Sequence, residues 1–131
     1  MDDSIATLMD ALPERINGDP HLRRIGRFCS TRFLVEAGES GFHLSVERGQ
    51  MAPVITGPRP LRAWAFALRA DPQVWQRFWE PLPAAGFNDI FALSRYGHMR
   101  IEGDTGPLLE NLWYLKEVLA MPRQMLQESA P

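Results

Sequence analysis

Between Thr31 and Glu47, large apolar residues alternate with polar ones on both sides of a glycine turn. This pattern limits the fold more than any other feature of the chain. Thr31, Phe33 and Val35 alternate with Arg32, Leu34 and Glu36, and Phe42, Leu44 and Val46 alternate with His43, Ser45 and Glu47. A period of two belongs to a strand with one buried face, and Gly38-Glu39-Ser40-Gly41 supplies the reversal. The two runs read as an antiparallel hairpin that needs an apolar layer on one side.

Two more runs extend the sheet. Met51 to Thr56 is a weaker strand, placed at an edge because Pro53 removes a backbone donor. Leu61 to Ala70 follows the breaker run Gly57-Pro58-Arg59-Pro60. Trp64, Phe66 and Leu68 project one way there and Ala63, Ala65 and Ala67 the other. A face of small side chains lets another layer approach closely, or leaves space for something else.

Elsewhere the spacing is helical. Ser4 to Ile16 carries Ile5, Leu8, Met9 and Leu12 on one stripe, with Pro13 expected to end or kink it. Asn17-Gly18-Asp19-Pro20 is a turn, and His21 to Ile25 adds a short helical segment. Asp71-Pro72 opens a helix with Trp75, Phe78 and Trp79 on one side, stopped by Pro81 and Pro83. Asn88-Asp89 opens another through Ile90, Phe91 and Leu93, with Gly97 as its C-terminal cap.

A last strand, His98-Met99-Arg100-Ile101-Glu102, ends on Gly103-Asp104, and a helix starts at once. Asp104 or Thr105 can cap it. Leu108, Leu112, Leu115 and Leu119 form its apolar stripe, with Glu110, Tyr114 and Glu117 expected opposite. Pro122 should end this helix or turn it into a tail over 122–131. Grouped strands with segregated helices define an α+β domain, a mostly antiparallel five-stranded sheet covered on one face by helices. At 131 residues, the chain fits a single domain over 1–131.

Composition excludes several function classes. A formal net charge of -2 offers no basic excess for phosphates, so no nucleic-acid partner is expected. The single Cys29 makes no internal disulfide and matches no zinc spacing, so neither a metal nor a cofactor is expected. The acidic start Met1-Asp2-Asp3 is unlike a secretion signal, and Ile5 to Leu12 is too short to span a bilayer. A cytoplasmic protein without an integral membrane segment is the expectation.

The segment Gly97 to Asp104, read with Ile90-Phe91-Ala92-Leu93 before it, resembles the sterol carrier protein type 2 domain family. The strands around Phe42 to Val46 and Trp64 to Phe66 look like that family's second and fourth strands. The resemblance covers roughly residues 24 to 121, departs from the family at Asn88-Asp89-Ile90, and leaves an unusually aromatic insert from Gln73 to Phe87. It implies an apolar cavity between sheet and helices that holds a fatty acyl chain, acyl-CoA, sterol or similar hydrophobic small molecule.

The residues themselves supply candidates for such a pocket: Trp64, Phe66, Leu68, Trp75, Phe78, Trp79, Phe87, Phe91, Leu112 and Trp113. The competing reading is that they simply fill a core. His43, His98 and Glu102 lie on polar strand faces and serve as proton-transfer groups only if they converge, so no catalytic residue is assigned. Arg23, Arg24 and Arg27 form a local basic run, read as an anionic head-group contact or as ordinary surface charge. A binder or carrier of a hydrophobic small molecule is the leading reading. The alternatives are an enzyme or pathway accessory protein using the same pocket, and a homodimerising interaction module docking through exposed Trp75, Trp79 and Trp113.

Overall fold

The structure, a computed structural model, describes residues 2–57 and 63–129. Helices α1 (Asp2–Asn17) and α2 (Pro20–Ile25) precede strands β1 (Thr31–Ala37), β2 (Ser40–Glu47), β3 (Gln50–Met51), β4 (Ile55–Thr56) and β5 (Phe66–Ala70). Helices α3 (Pro72–Phe78) and α4 (Ile90–Arg95), strand β6 (Met99–Gly103), and helices α5 (Gly106–Glu110) and α6 (Leu112–Ser129) complete the chain.

The α+β class and the sheet covered by helices are as expected, with two differences in the sheet. It has six strands, in the order β3-β2-β1-β5-β6, with β4 also on β2. β3 and β4 are the expected edge run, interrupted at Ala52-Pro53-Val54 where proline cannot donate to the ladder. β1 and β5 run parallel, Phe33 opposite Phe66 and Ala37 opposite Ala70, whereas every other pairing is antiparallel. The run expected from Leu61 pairs only from Phe66, and Leu61 lies outside the described residues.

Register fixes which residues share a face. Phe33, Val35, Phe42, Leu44, Val46, Phe66 and Leu68 turn toward the helices and are buried with the inward stripes of α1, α3 and α6. Phe33 stacks on Phe66 with ring centroids 4.9 Å apart. The opposite face carries Arg32 beside Ser45, the row His43, Leu34, Ala67, Glu102, and the row Glu36, Arg69, Arg100. Leu34 and Ala67 are buried although they face away from the helices.

The helices depart from expectation at their prolines and at one tyrosine. α1 continues past Pro13 to Asn17, and α6 runs through Pro122 to Ser129, where a tail was expected. A break at Asn111 divides α5 from α6. Tyr114, expected on the polar side, is buried, with its hydroxyl donating to the Gly49 carbonyl at 3.1 Å. Thr105 occupies the N-cap position of α5 without a side-chain bond, and Asp104 just before it accepts the Gly106 amide on Oδ1 at 3.0 Å.

Candidate functional site

Two regions carry the candidate residues, one on each face of the sheet. On the helical side, α3 is short because Asp71-Pro72 opens it and the Pro81-Leu82-Pro83 run forbids its continuation. Its spacing turns Trp75, Phe78 and Trp79 inward. Their ring centroids lie 5.4 to 6.4 Å apart, so the three rings pack on one another. Each indole N–H has a partner: Trp75 Nε1 donates to the Glu36 carbonyl at 2.9 Å and Trp79 Nε1 to the Leu119 carbonyl at 2.8 Å. With Phe66, Leu68 and Phe87, six of the ten candidate residues belong to one apolar cluster beneath the helices.

Phe87, Phe91 and Leu112 lie toward the rim of this region. Phe87 is buried between two polar groups, stacked on His98 at 4.7 Å, with the Arg77 guanidinium 3.9 Å from its centroid. Phe91 and Leu112 are half-buried against the core. Lys116 spans the seam between α4 and α6, its Nζ 3.2 Å from Asp89 and 5.5 Å from the Phe91 centroid. Among the described residues no charged side chain is buried, and the buried Tyr114 hydroxyl and the two indole N–H groups are already partnered, so this interior offers mainly apolar contact.

Trp64 and Trp113 stand apart from that set. Trp64 precedes β5 and lies on the outer face, with the Arg69 guanidinium 5.6 Å from its ring. Trp113 is 63 % exposed, with the His21 ring 5.7 Å away. Docking through exposed Trp75 and Trp79 is overturned, because both are buried in the core; of the three only Trp113 reaches the surface.

The outer face holds a concavity of about 270 Å³ that the sequence reading did not single out. Arg32, His43 and Ser45 of the polar strand face line it together with Ala52, Pro53, Ile55, Ala63 and Trp64, and the strand positions between them, Phe33 and Leu44, form part of its floor. Beside it an ion-pair network links β1, β5 and β6: Arg69 Nη1 reaches Glu36 at 2.6 Å and its Nε reaches Glu102 at 2.7 Å. The hydrogen bond from Arg69 holds the Glu102 carboxyl below the usual carboxylate range. Glu102 is thus engaged as an ion-pair partner, and His98 is stacked on Phe87.

A glycine governs how this face is built. Gly103 has φ +92°, and a Cβ there would lie 2.5 Å from the Ala65 carbonyl oxygen and 3.0 Å from the Trp64 ring. The same Ala65 carbonyl accepts the Asp104 amide at 2.7 Å. The Gly103-Asp104 step therefore clamps the segment that carries Trp64. The alternation of residues 41–47 named the polar strand face, but nothing in it shows that Trp64 folds over that face.

Among the described residues there is no cluster of His, Cys, Asp or Glu suited to a metal ion. No helix there is long and apolar enough to cross a membrane. No family model matches the sequence. No curated protein matches it either. Solved structures do resemble it. Sterol carrier protein 2 superposes with a TM-score of 0.72 at 13 % identity, over 90 % of this chain and 95 % of that one. A conserved hypothetical protein from Thermus thermophilus, described as possibly a sterol carrier protein, gives 0.61 at 13 % identity, over 88 % and 86 %. A UbiJ-SCP2 ubiquinone synthesis protein gives 0.59 at 15 % identity, over 89 % and 93 %. The chain has the sterol carrier protein 2 fold.

Proposed function

We propose that the protein binds a hydrophobic small molecule between its sheet and its helices, as a carrier. The observation that bears this reading is a described interior with no buried charge and few polar atoms, all partnered, within a fold shared with sterol carrier protein 2. Phe66, Leu68, Trp75, Phe78 and Trp79 would form the walls of the site, and Phe87, Phe91 and Leu112 its mouth. Affinity would come from apolar area removed from water, about 25 cal/mol per Å² before ordering costs.

The way in is the seam between α4 and α6. Its outer closure is the single Asp89–Lys116 ion pair with the ammonium over Phe91. An exposed pair of this kind contributes about 1 kcal/mol or less, so it adds little to the cost of parting the seam. The rings of α3 are hydrogen-bonded at their indoles and would stay in place as the wall.

Native mass spectrometry of protein purified from its host tests the reading. Titration with palmitate, oleoyl-CoA, cholesterol and a polyprenylated quinone, followed by tryptophan emission, tests it independently. A co-purified apolar compound or saturable one-to-one binding is expected. Protein that carries no apolar compound and binds none of the four overturns it.

A further inference from the structure

We propose that the outer-face concavity is a second small-molecule site, specific for a compact aromatic carboxylate. It does not rest on the carrier reading, because Arg32, His43 and Ser45 lie on the sheet face opposite the helices.

Three residues whose side chains carry donors line it: Arg32, His43 and Ser45. Arg32 and Ser45 are direct cross-strand partners, and His43 lies two residues before Ser45 on the same face. Among the described residues none of these three side chains has a hydrogen-bond or ion-pair partner, whereas Glu36, Arg69, Arg100 and Glu102 on the same face are paired. An apolar concavity with a few convergent polar groups is the usual form of a small-molecule site.

The shape selects the ligand. At about 270 Å³ the space falls just short of the range typical of drug-sized ligands, so it suits a compact ligand better than a bulky sterol. Trp64, Ile55 and Pro53 supply apolar walls suited to one ring. The single guanidinium balances one negative charge, and its planar fork matches a carboxylate. His43 and Ser45 can then meet the remaining lone pairs. The ring wall is preformed, because Arg69 sits over Trp64 while held by two carboxylates, and Gly103 leaves room for the indole.

The test uses 3-phenylpropionate as the probe, with 3-phenylpropionamide as its neutral counterpart and phenyl phosphate as a comparator. Calorimetry and two-dimensional NMR of the whole chain follow binding. Saturable one-to-one binding of phenylpropionate is expected, with amide shifts confined to Arg32, His43, Ser45, Ile55 and Trp64. The amide should bind at least tenfold more weakly. Arg32→Gln should lose at least tenfold for phenylpropionate while its melting temperature stays within a degree, and Arg23→Gln should change nothing. Absence of saturable binding, equal affinity for the amide, tighter binding of phenyl phosphate, or shifts on the helical side would each overturn the proposal. Palmitate added to the same samples reports on the interior, so failure at one site is read separately from failure at the other.

Discussion

Gly26, Gly49 and Tyr114 form one contact on which the helix side depends. Gly49 has φ +78°, and a Cβ there would sit 2.7 Å from the Gly26 carbonyl oxygen. A Cβ on Gly26 would in turn lie 2.4 Å from the Tyr114 ring. The two backbones and the ring thus touch with no room for a methyl group. Gly49→Ala should cost about 2 kcal/mol or more, from a strained left-handed residue and a backbone clash. Urea unfolding of the variant measures it. Tyr114→Phe removes only the hydroxyl and leaves the Gly49 carbonyl without its donor, for an expected loss of about 1–2 kcal/mol by the same assay.

At the scale of elements, α3 and α6 are clasped by side chains that donate to each other's carbonyls. Trp79 donates to Leu119, and the Arg123 side chain donates to the Phe78 carbonyl near the end of α3 while lying 5.2 Å from the Phe78 ring centroid. Trp79→Ala should cost about 3–5 kcal/mol, from a large cavity together with a lost donor, again read by denaturant unfolding. Lys116→Ala should behave differently. Its stability should fall by about 1 kcal/mol at most, while stopped-flow uptake of a fatty-acid probe by the interior becomes faster.

The clasp also explains what was legible in the sequence. Periodicity reports which way a side chain faces, and so the β1–β2 hairpin and the inward set of α3 could be read directly. It does not report which strand lies alongside, and the parallel β1–β5 pairing was invisible for that reason. Pro122 reads locally as a stop, yet the contacts of Leu119 and Arg123 with α3 hold the helix on both sides of it. Tyr114 looked polar by type, but its ring is apolar and its hydroxyl finds a buried carbonyl. Trp64 was legible as a candidate residue, but the spacing that set it beside Phe66 and Leu68 does not report its place on the far face.

For the molecule as a whole, the titrating groups bound a pH range of stability. Burial pushes the Cys29 thiol up to about 11, and burial, with Cys29 nearby, raises the Tyr114 phenol as well. Both groups keep their protons longer in the folded than in the unfolded chain. Their contribution is therefore complete below the ordinary thiol range and is lost as pH rises through it and beyond. The melting temperature should fall above about pH 9, where unfolded thiols begin to ionise, and fall less in Cys29→Ala. Folded protein should also leave Cys29 unreactive toward a thiol reagent at about pH 8. At the acid end, hydrogen bonds from Arg69 and Arg15 lower the Glu102 and Glu128 carboxyls, a contribution present above the ordinary carboxylate range and lost as pH falls.

The parallel alignment of β1 with β5 imposes an order of events on assembly. The β1–β2 ribbon closes through a two-residue reversal, whereas β5 can dock only after the chain has travelled past both strands to the far side of β1. Nucleation should begin in the ribbon, with capture of β5 as the slow step that commits the chain. Phe42→Leu should then slow refolding, whereas Ile101→Val on β6 should mainly speed unfolding.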